Sequence, residues 1–214
     1  MIDVPAFHQA LGVLPVIVID DEAYAHQLAE ALASGGLPSG EVTLRTAAAL
    51  GAIREMAQVP GFVVGAGTVV HPSQVEHAIA AGAHYVVSPG FGPAVSRECA
   101  TLGIPLIPGV ATATEIQTAR DAGWSVLKFF PAAAAGGARM VSALSAPFPD
   151  VRFVPTGGIG LATMQEYLEI PSVLAVGGTW IAPQAMIRSA AFDQIAQLAA
   201  GATALAKEMR CPSS

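Results

Sequence analysis

Arg152-Phe153-Val154-Pro155-Thr156-Gly157-Gly158 is a β-branched and aromatic run closed by a glycine pair, and Val173-Leu174-Ala175-Val176-Gly177-Gly178-Thr179 repeats that plan one unit later. Between them, Ala162–Leu168 carries the apolar spacing of a helix. Strand, glycine turn, helix and strand make one βα unit, because parallel neighbours need a crossover connection. The alternation continues outward to the start of the chain. Strands are predicted near Leu14–Ile19, Gly40–Leu44, Phe62–Val64, Tyr85–Val87, Leu106–Ile107 and Val126–Phe130, besides Arg152–Pro155 and Val173–Val176. Helices are predicted over Asp21–Ala33, Thr46–Gln58, Pro72–Ala80, Pro93–Leu102 and Thr114–Ala122, most opened by a capping residue or a proline. Eight strands, each followed by a helix, is the count that closes a (β/α)8 TIM barrel. The expected fold is therefore α/β, one barrel domain over residues 1–214, with a short N-terminal helix (Pro5–Gly12) plugging the barrel bottom and Ala132–Ala138 as a loop. An open doubly wound sheet fits the same periodicity and is the competing architecture.

Composition narrows the function classes. No linker divides the 214 residues, and 53% hydrophobic against 12% charged residues is far from a disordered composition. Gly and Pro interrupt every apolar run well short of the roughly 18 residues of a spanning helix. The N-terminal Met-Ile-Asp-Val-Pro lacks the basic residues of a secretory signal, so a cytoplasmic protein is expected. A net charge of −6 with no Lys/Arg cluster argues against nucleic-acid and membrane partners. Any anion must be bound locally. Cys99 and Cys211 form no CxxC pair, so neither a disulfide framework nor structural zinc is expected, and each reads as a buried or tail thiol. His8, His26, His71, His77 and His84 show no facing pair at ligand spacing, and His71 before Pro72 suits the start of a helix. No metal is therefore expected. The chain has no Gly-Lys-[Ser/Thr] loop, and Gly65-Ala66-Gly67 lacks the third glycine of a dinucleotide fingerprint, so no nucleotide cofactor is expected either.

Candidate chemistry lies after the predicted strands, where a barrel gathers its active site. Lys128 is one of only two lysines and sits inside Val126-Leu127-Lys128-Phe129-Phe130-Pro131. A cation between Leu and two Phe must snorkel or be used. A desolvated amine sheds its charge more readily than one in water, and the neutral amine attacks carbonyls. Lys207, in the polar C-terminal helix, reads as solvent-facing. Glu41-Val42-Thr43-Leu44-Arg45 alternates, so in an extended segment Glu41, Thr43 and Arg45 point to one side. An internal Glu41–Arg45 ion pair is one reading. The other combines them with Lys128: an amine nucleophile, a proton-carrying carboxylate, and a guanidinium that grips a substrate carboxylate. Gly157-Gly158 and Gly177-Gly178, flanked by Thr156 and Thr179, follow the last two predicted strands, where barrels commonly hold a phosphate. Each glycine alone also fits plain turn geometry.

In order along the chain, Glu41-Val42-Thr43-Leu44-Arg45-Thr46, Gly65-Ala66-Gly67-Thr68-Val69, Ser88-Pro89-Gly90, Ile107-Pro108-Gly109, Lys128-Phe129-Phe130-Pro131-Ala132, Pro155-Thr156-Gly157-Gly158-Ile159 and Gly177-Gly178-Thr179-Trp180 resemble the 2-keto-3-deoxy-6-phosphogluconate (KDPG) aldolase family, which includes bifunctional 4-hydroxy-2-oxoglutarate aldolases. The resemblance runs from about Pro15 to the C-terminal helix. It implies a cofactor-free class I aldolase on a (β/α)8 barrel, a homotrimer, whose small-molecule partners are a phosphorylated keto sugar acid and pyruvate. By motif position it makes Lys128 the Schiff-base lysine and Glu41 the general acid/base acting through a water. Arg45 and Thr68 would bind the pyruvyl carboxylate, Pro89 and Phe130 would wall the site, and Gly157, Gly158, Gly178 and Thr179 would bind phosphate. Two positions depart from the family pattern: Leu37-Pro38-Ser39-Gly40 is less apolar than the strand usual there, and Thr179 stands where serine is common.

Two readings from other classes stand beside this one. A phosphosugar isomerase or epimerase on the same barrel would use Glu41 as base and leave Lys128 electrostatic. A non-catalytic sugar-phosphate binder would have no need of a buried amine. A relative acting on the galacto-configured phosphate fits Glu41-Val42-Thr43-Leu44-Arg45 poorly.

Overall fold

A computed structural model describes residues 3–210, and among them nine strands alternate with ten α-helices. The strands are β1 (Val13–Ile17), β2 (Ser39–Thr43), β3 (Val63–Gly67), β4 (Tyr85–Val87), β5 (Leu106–Ile107), β6 (Gly109–Val110), β7 (Val126–Phe129), β8 (Arg152–Pro155) and β9 (Val176–Gly178). Every pairing between them is parallel, as helical crossovers require. Six strands in the order β5-β4-β3-β2-β1-β9 form one curled sheet, and β6-β7-β8 form a second. Between β5 and β6 stands Pro108, which has no N–H for a ladder, though its carbonyl still accepts from the Lys128 N–H at 2.9 Å. On the other side, the isolated parallel pairings Phe153↔Val173 and Thr156↔Gly177 tie β8 to the β9 segment.

Two hydrophobic cores follow from the alternation of side chains. The larger lies between the strands and the surrounding helices and takes Val13 and Ile17 of β1 and Leu127 and Phe129 of β7. The smaller takes the opposite faces: Leu14, Val63, Tyr85, Val87, Ile107, Val154 and Ala175 meet one another inside the curl. The N-terminal helix α1 (Val4–Leu11) contributes Val4 and Phe7 to this inner cluster. Asp3 caps it by accepting from the Ala6 N–H at 3.1 Å, and Gly12, with φ 74°, ends it.

Helices Pro72–Ala80 and Pro93–Leu102 have the expected bounds, each opened by an N1 proline. Elsewhere the bounds move. β2 begins at Ser39 rather than Gly40, and β9 falls at Val176–Gly178 rather than Val173–Val176. β3 runs through Gly65-Ala66-Gly67 instead of ending before it, because neighbouring strands need those glycines for room. Helix Gly137–Ser145 begins inside the expected Ala132–Ala138 loop, where positive φ at Gly136 (107°) and Gly137 (67°) sets up its first turn.

Candidate active site

Lys128 is aimed by strand periodicity. On β7 its neighbours Leu127 and Phe129 face the outer core, so Lys128 faces the interior, 5% exposed. It does not snorkel. Its Nζ donates to Glu41 Oε1 at 2.9 Å and Oε2 at 3.3 Å, and lies 5.3 Å from the centroid of the Phe130 ring. Glu41, 1% exposed, stands mid-way along β2, with Val16 of β1 and Gly65 of β3 as its Cα partners. A Cβ at Gly67 would overlap the Glu41 carboxylate and come within 2.5 Å of Cγ and 2.8 Å of Cδ. Gly67 is therefore the slot into which the Glu41 side chain fits.

The expected trio on β2 does not stay together. Thr43 is buried and donates to the Ile17 carbonyl at 3.0 Å, a bond that ties β2 to β1. The strand ends there, so the alternation stops and Arg45 leaves it exposed. Arg45 Nε donates to Thr68 Oγ1 at 3.2 Å, and no Glu41–Arg45 ion pair forms among the described residues. Thr68 has φ 59°, a left-handed conformation unfavourable for a β-branched side chain, of the kind that accumulates at functional sites.

A cavity of about 180 Å³ collects Arg45, Lys128, Phe130, Thr156, Gly157, Gly158, Gly178 and Thr179, together with Val16 and Ile159. Glu41 joins through Lys128, and Thr68 through Arg45. Pro89 is not among the lining residues. It lies past the end of β4, where its carbonyl packs so closely on Gly109 that a Cβ there would overlap it. Val16 and Ile159 were not anticipated. Val16 could have been found, since it lies two residues from inward-facing Leu14.

After β8 the backbone turns through φ 98° at Gly157 and φ 75° at Gly158. A side chain would be strained at both, and at Gly158 it would also meet Ala133 Cβ at 2.5 Å. The carbonyls of Thr156 and Gly157 are taken by the N–H groups of Ala132 and Ala133, at 2.8 and 3.0 Å. Successive glycine N–H groups in such a turn form an anion-binding concavity. Outside this region, His71 has the predicted structural role: its ring accepts from the Ser73 N–H at the start of Pro72–Ala80. Cys99 is buried, which pushes its thiol up to about 12, while Cys211 lies outside the described residues. Among the described residues no three His, Cys, Asp or Glu side chains cluster as a metal site would require, and no helix is long and apolar enough to cross a membrane.

Residues 5–198 match the sequence model of the family described as aldolase: KDPG and KHG aldolase. The chain belongs to this family. A 2-dehydro-3-deoxy-phosphogluconate aldolase from Treponema pallidum is 47% identical over 193 residues, 89% of this chain and 91% of the relative. Among solved structures, a KDPG aldolase from Legionella pneumophila, with pyruvate captured as a covalent carbinolamine intermediate, superposes with a TM-score of 0.89 at 43% identity, covering 92% of this chain and 97% of that one. The Zymomonas mobilis KDPG aldolase with 3-phosphoglycerate superposes with a TM-score of 0.88 at 41% identity, covering 94% and 95%. In this family member Arg45, Lys128, the Gly157-Gly158 turn and the Gly178 end of β9 line one cavity, and Glu41 reaches it through Lys128.

Proposed function

We propose that this chain is a class I aldolase cleaving 2-keto-3-deoxy-6-phosphogluconate to pyruvate and glyceraldehyde 3-phosphate, with 4-hydroxy-2-oxoglutarate as a second substrate. The observation that carries the reading is the buried contact of Lys128 Nζ with both Glu41 oxygens beside a cavity edged by Arg45, the Gly157-Gly158 turn and Gly178. Lys128 passes a proton to Glu41 and attacks the C2 ketone as a neutral amine. Glu41 returns that proton to the carbinolamine hydroxyl, which leaves as water and gives a protonated imine. Glu41 takes the C4 hydroxyl proton, C3–C4 breaks, and the bonding pair moves into the imine to form an enamine and release the aldehyde. Protonation at C3 and addition of water then release pyruvate and the amine. Lys128 and Glu41 touch directly, so this first transfer needs no bridging water.

The other residues divide the substrate between them. Arg45, held by Thr68, binds the pyruvyl carboxylate, and Gly157, Gly158, Gly178 and Thr179 bind the phosphate, with Thr156 bordering it while its hydroxyl donates to the Val154 carbonyl at 3.3 Å. Phe130 faces the nitrogen that carries the imine's charge. The carbinolamine in the Legionella relative and the 3-phosphoglycerate in the Zymomonas relative support these assignments by analogy. Counting β5 and β6 as one strand interrupted by Pro108, the strands make an eight-stranded (β/α)8 barrel, a single domain over residues 1–214. We place the enzyme in the cytoplasm as a homotrimer in carbohydrate metabolism, on the Entner–Doudoroff route.

Borohydride reduction in the presence of pyruvate tests the reading. A single pyruvyl adduct on Lys128 is expected by peptide mass mapping. An adduct on exposed Lys207 instead, or none at all, overturns it.

A further inference from the structure

Glu41 of β2 and Tyr85 of β4 are both Cα partners of Gly65, which stands between them on β3. Gly65 has no side chain to separate them. A Cβ there would overlap the Cε2 and Cζ end of the Tyr85 ring, with Cδ2 at 2.7 Å, so the far end of the ring occupies the space over Gly65. Its hydroxyl lies 3.4 Å from Ser39 Oγ, two residues before Glu41 on the same face of β2. The ring therefore fills the N-terminal side of Glu41. Two residues further along β3, the gap over Gly67 is filled by the Glu41 side chain itself.

We propose that Tyr85 is a positioning residue for Glu41: its ring closes the space over Gly65 and leaves the slot over Gly67, from which the carboxylate meets Lys128. This inference rests on the reading of Lys128 and Glu41 as the reacting pair. Tyr85 is itself held by a count of protons. Ser39 Oγ donates its one hydrogen to the Val63 carbonyl at 2.7 Å, so it accepts from the Tyr85 hydroxyl and from His8 Nε2, the latter at 3.3 Å. His8 then carries its proton on Nε2, and its ring stands edge-on to Tyr85 at 4.8 Å between centroids. Burial drives the Tyr85 hydroxyl well above the usual phenol range and His8 down to about 4. Both stay neutral, and the floor beneath Glu41 holds no charge to compete for its carboxylate.

The test compares wild type with Tyr85→Phe, Tyr85→Leu and Gly67→Ala, measuring kcat and KM for KDPG, the rate of borohydride-trapped adduct formation with pyruvate, and thermal melts. Tyr85→Phe keeps the ring and should stay within about twofold of wild type in each quantity. Tyr85→Leu is too short to cross Gly65 and should lower kcat and the trapping rate by about 10- to 100-fold, the cost of a misplaced catalytic group, with KM little changed. Gly67→Ala fills the slot from the other side and should give the same split. Wild-type kcat and trapping in folded Tyr85→Leu, or a Tyr85→Phe loss as large as that of Tyr85→Leu, overturns the proposal. Should Tyr85→Leu fail to fold, Gly67→Ala decides, since wild-type kcat there overturns it equally. Wild-type enzyme that traps no pyruvate sinks the aldolase reading instead, and this inference with it.

Discussion

Lys128 Nζ and the Glu41 carboxylate form a two-oxygen ion pair with both residues almost wholly withdrawn from water. Such a pair returns little net stability against two desolvated ions, but removing one partner strands the other. Lys128→Met should therefore lower unfolding free energy by about 3 kcal/mol, and Lys128→Met/Glu41→Leu should recover most of that loss. Urea melts of the two variants check this. Glu41→Gln should still accept pyruvate on Lys128, with turnover down by roughly 10²- to 10⁴-fold for want of a proton carrier. Full turnover in Glu41→Gln would remove Glu41 from the mechanism.

Arg45 and the glycines at 157, 158 and 178 should serve opposite ends of the substrate. Arg45→Ala removes the grip on a carboxylate common to every 2-keto acid, so it should weaken KDPG and 4-hydroxy-2-oxoglutarate alike. Gly178→Val acts indirectly. The added side chain would drive into the Trp180 indole, displacing the backbone at Gly178 and Thr179 from the cavity. KDPG should then lose about 2–3 kcal/mol more in kcat/KM than the unphosphorylated substrate, the scale of charge-assisted hydrogen bonds to a phosphate. Equal losses would place the phosphate elsewhere.

His8 makes a pH-dependent contribution to stability. Its folded value of about 4 lies below the ordinary 6.5, because burial disfavours the imidazolium. Between those two values the unfolded chain binds a proton that the folded chain does not, so stability falls as pH falls through that window and is unaffected by this group above it. From pH 7 to pH 5 the loss should be about 2 kcal/mol. In His8→Leu that part of the slope should vanish. An unchanged pH dependence of the urea midpoint in His8→Leu would assign the slope to other groups.

The chemistry was more legible in the sequence than the carpentry around it. Lys128 stood out because a cation in an apolar run needs a cause, and the glycine pairs stood out because their place after the last strands has a mechanical reading. The strand expected at Phe62–Val64 stops short of Gly65 and Gly67, since what a glycine makes room for is decided by residues on adjacent strands, here Tyr85 and Glu41, and register is not written in either segment. Arg45 was placed on the inner face by an alternation that stops at Thr43. Helix Gly137–Ser145 was hidden by the glycines that begin it. The partner of Lys128 lies 87 residues earlier in the chain, on the other sheet, and only the folded chain brings the two together.

β1 has its two ladders at opposite ends of the chain, pairing with β2 through Val16↔Glu41 and with β9 through Val13↔Val176. During synthesis the first ladder can form early, but the second must wait until the segment around Gly178 has left the ribosome. Until then one edge of β1, a strand buried at every position in the finished fold, has no backbone partner. An unfinished chain therefore presents an aggregation-prone edge for most of its elongation, and that edge is closed only when Val176–Gly178 arrives.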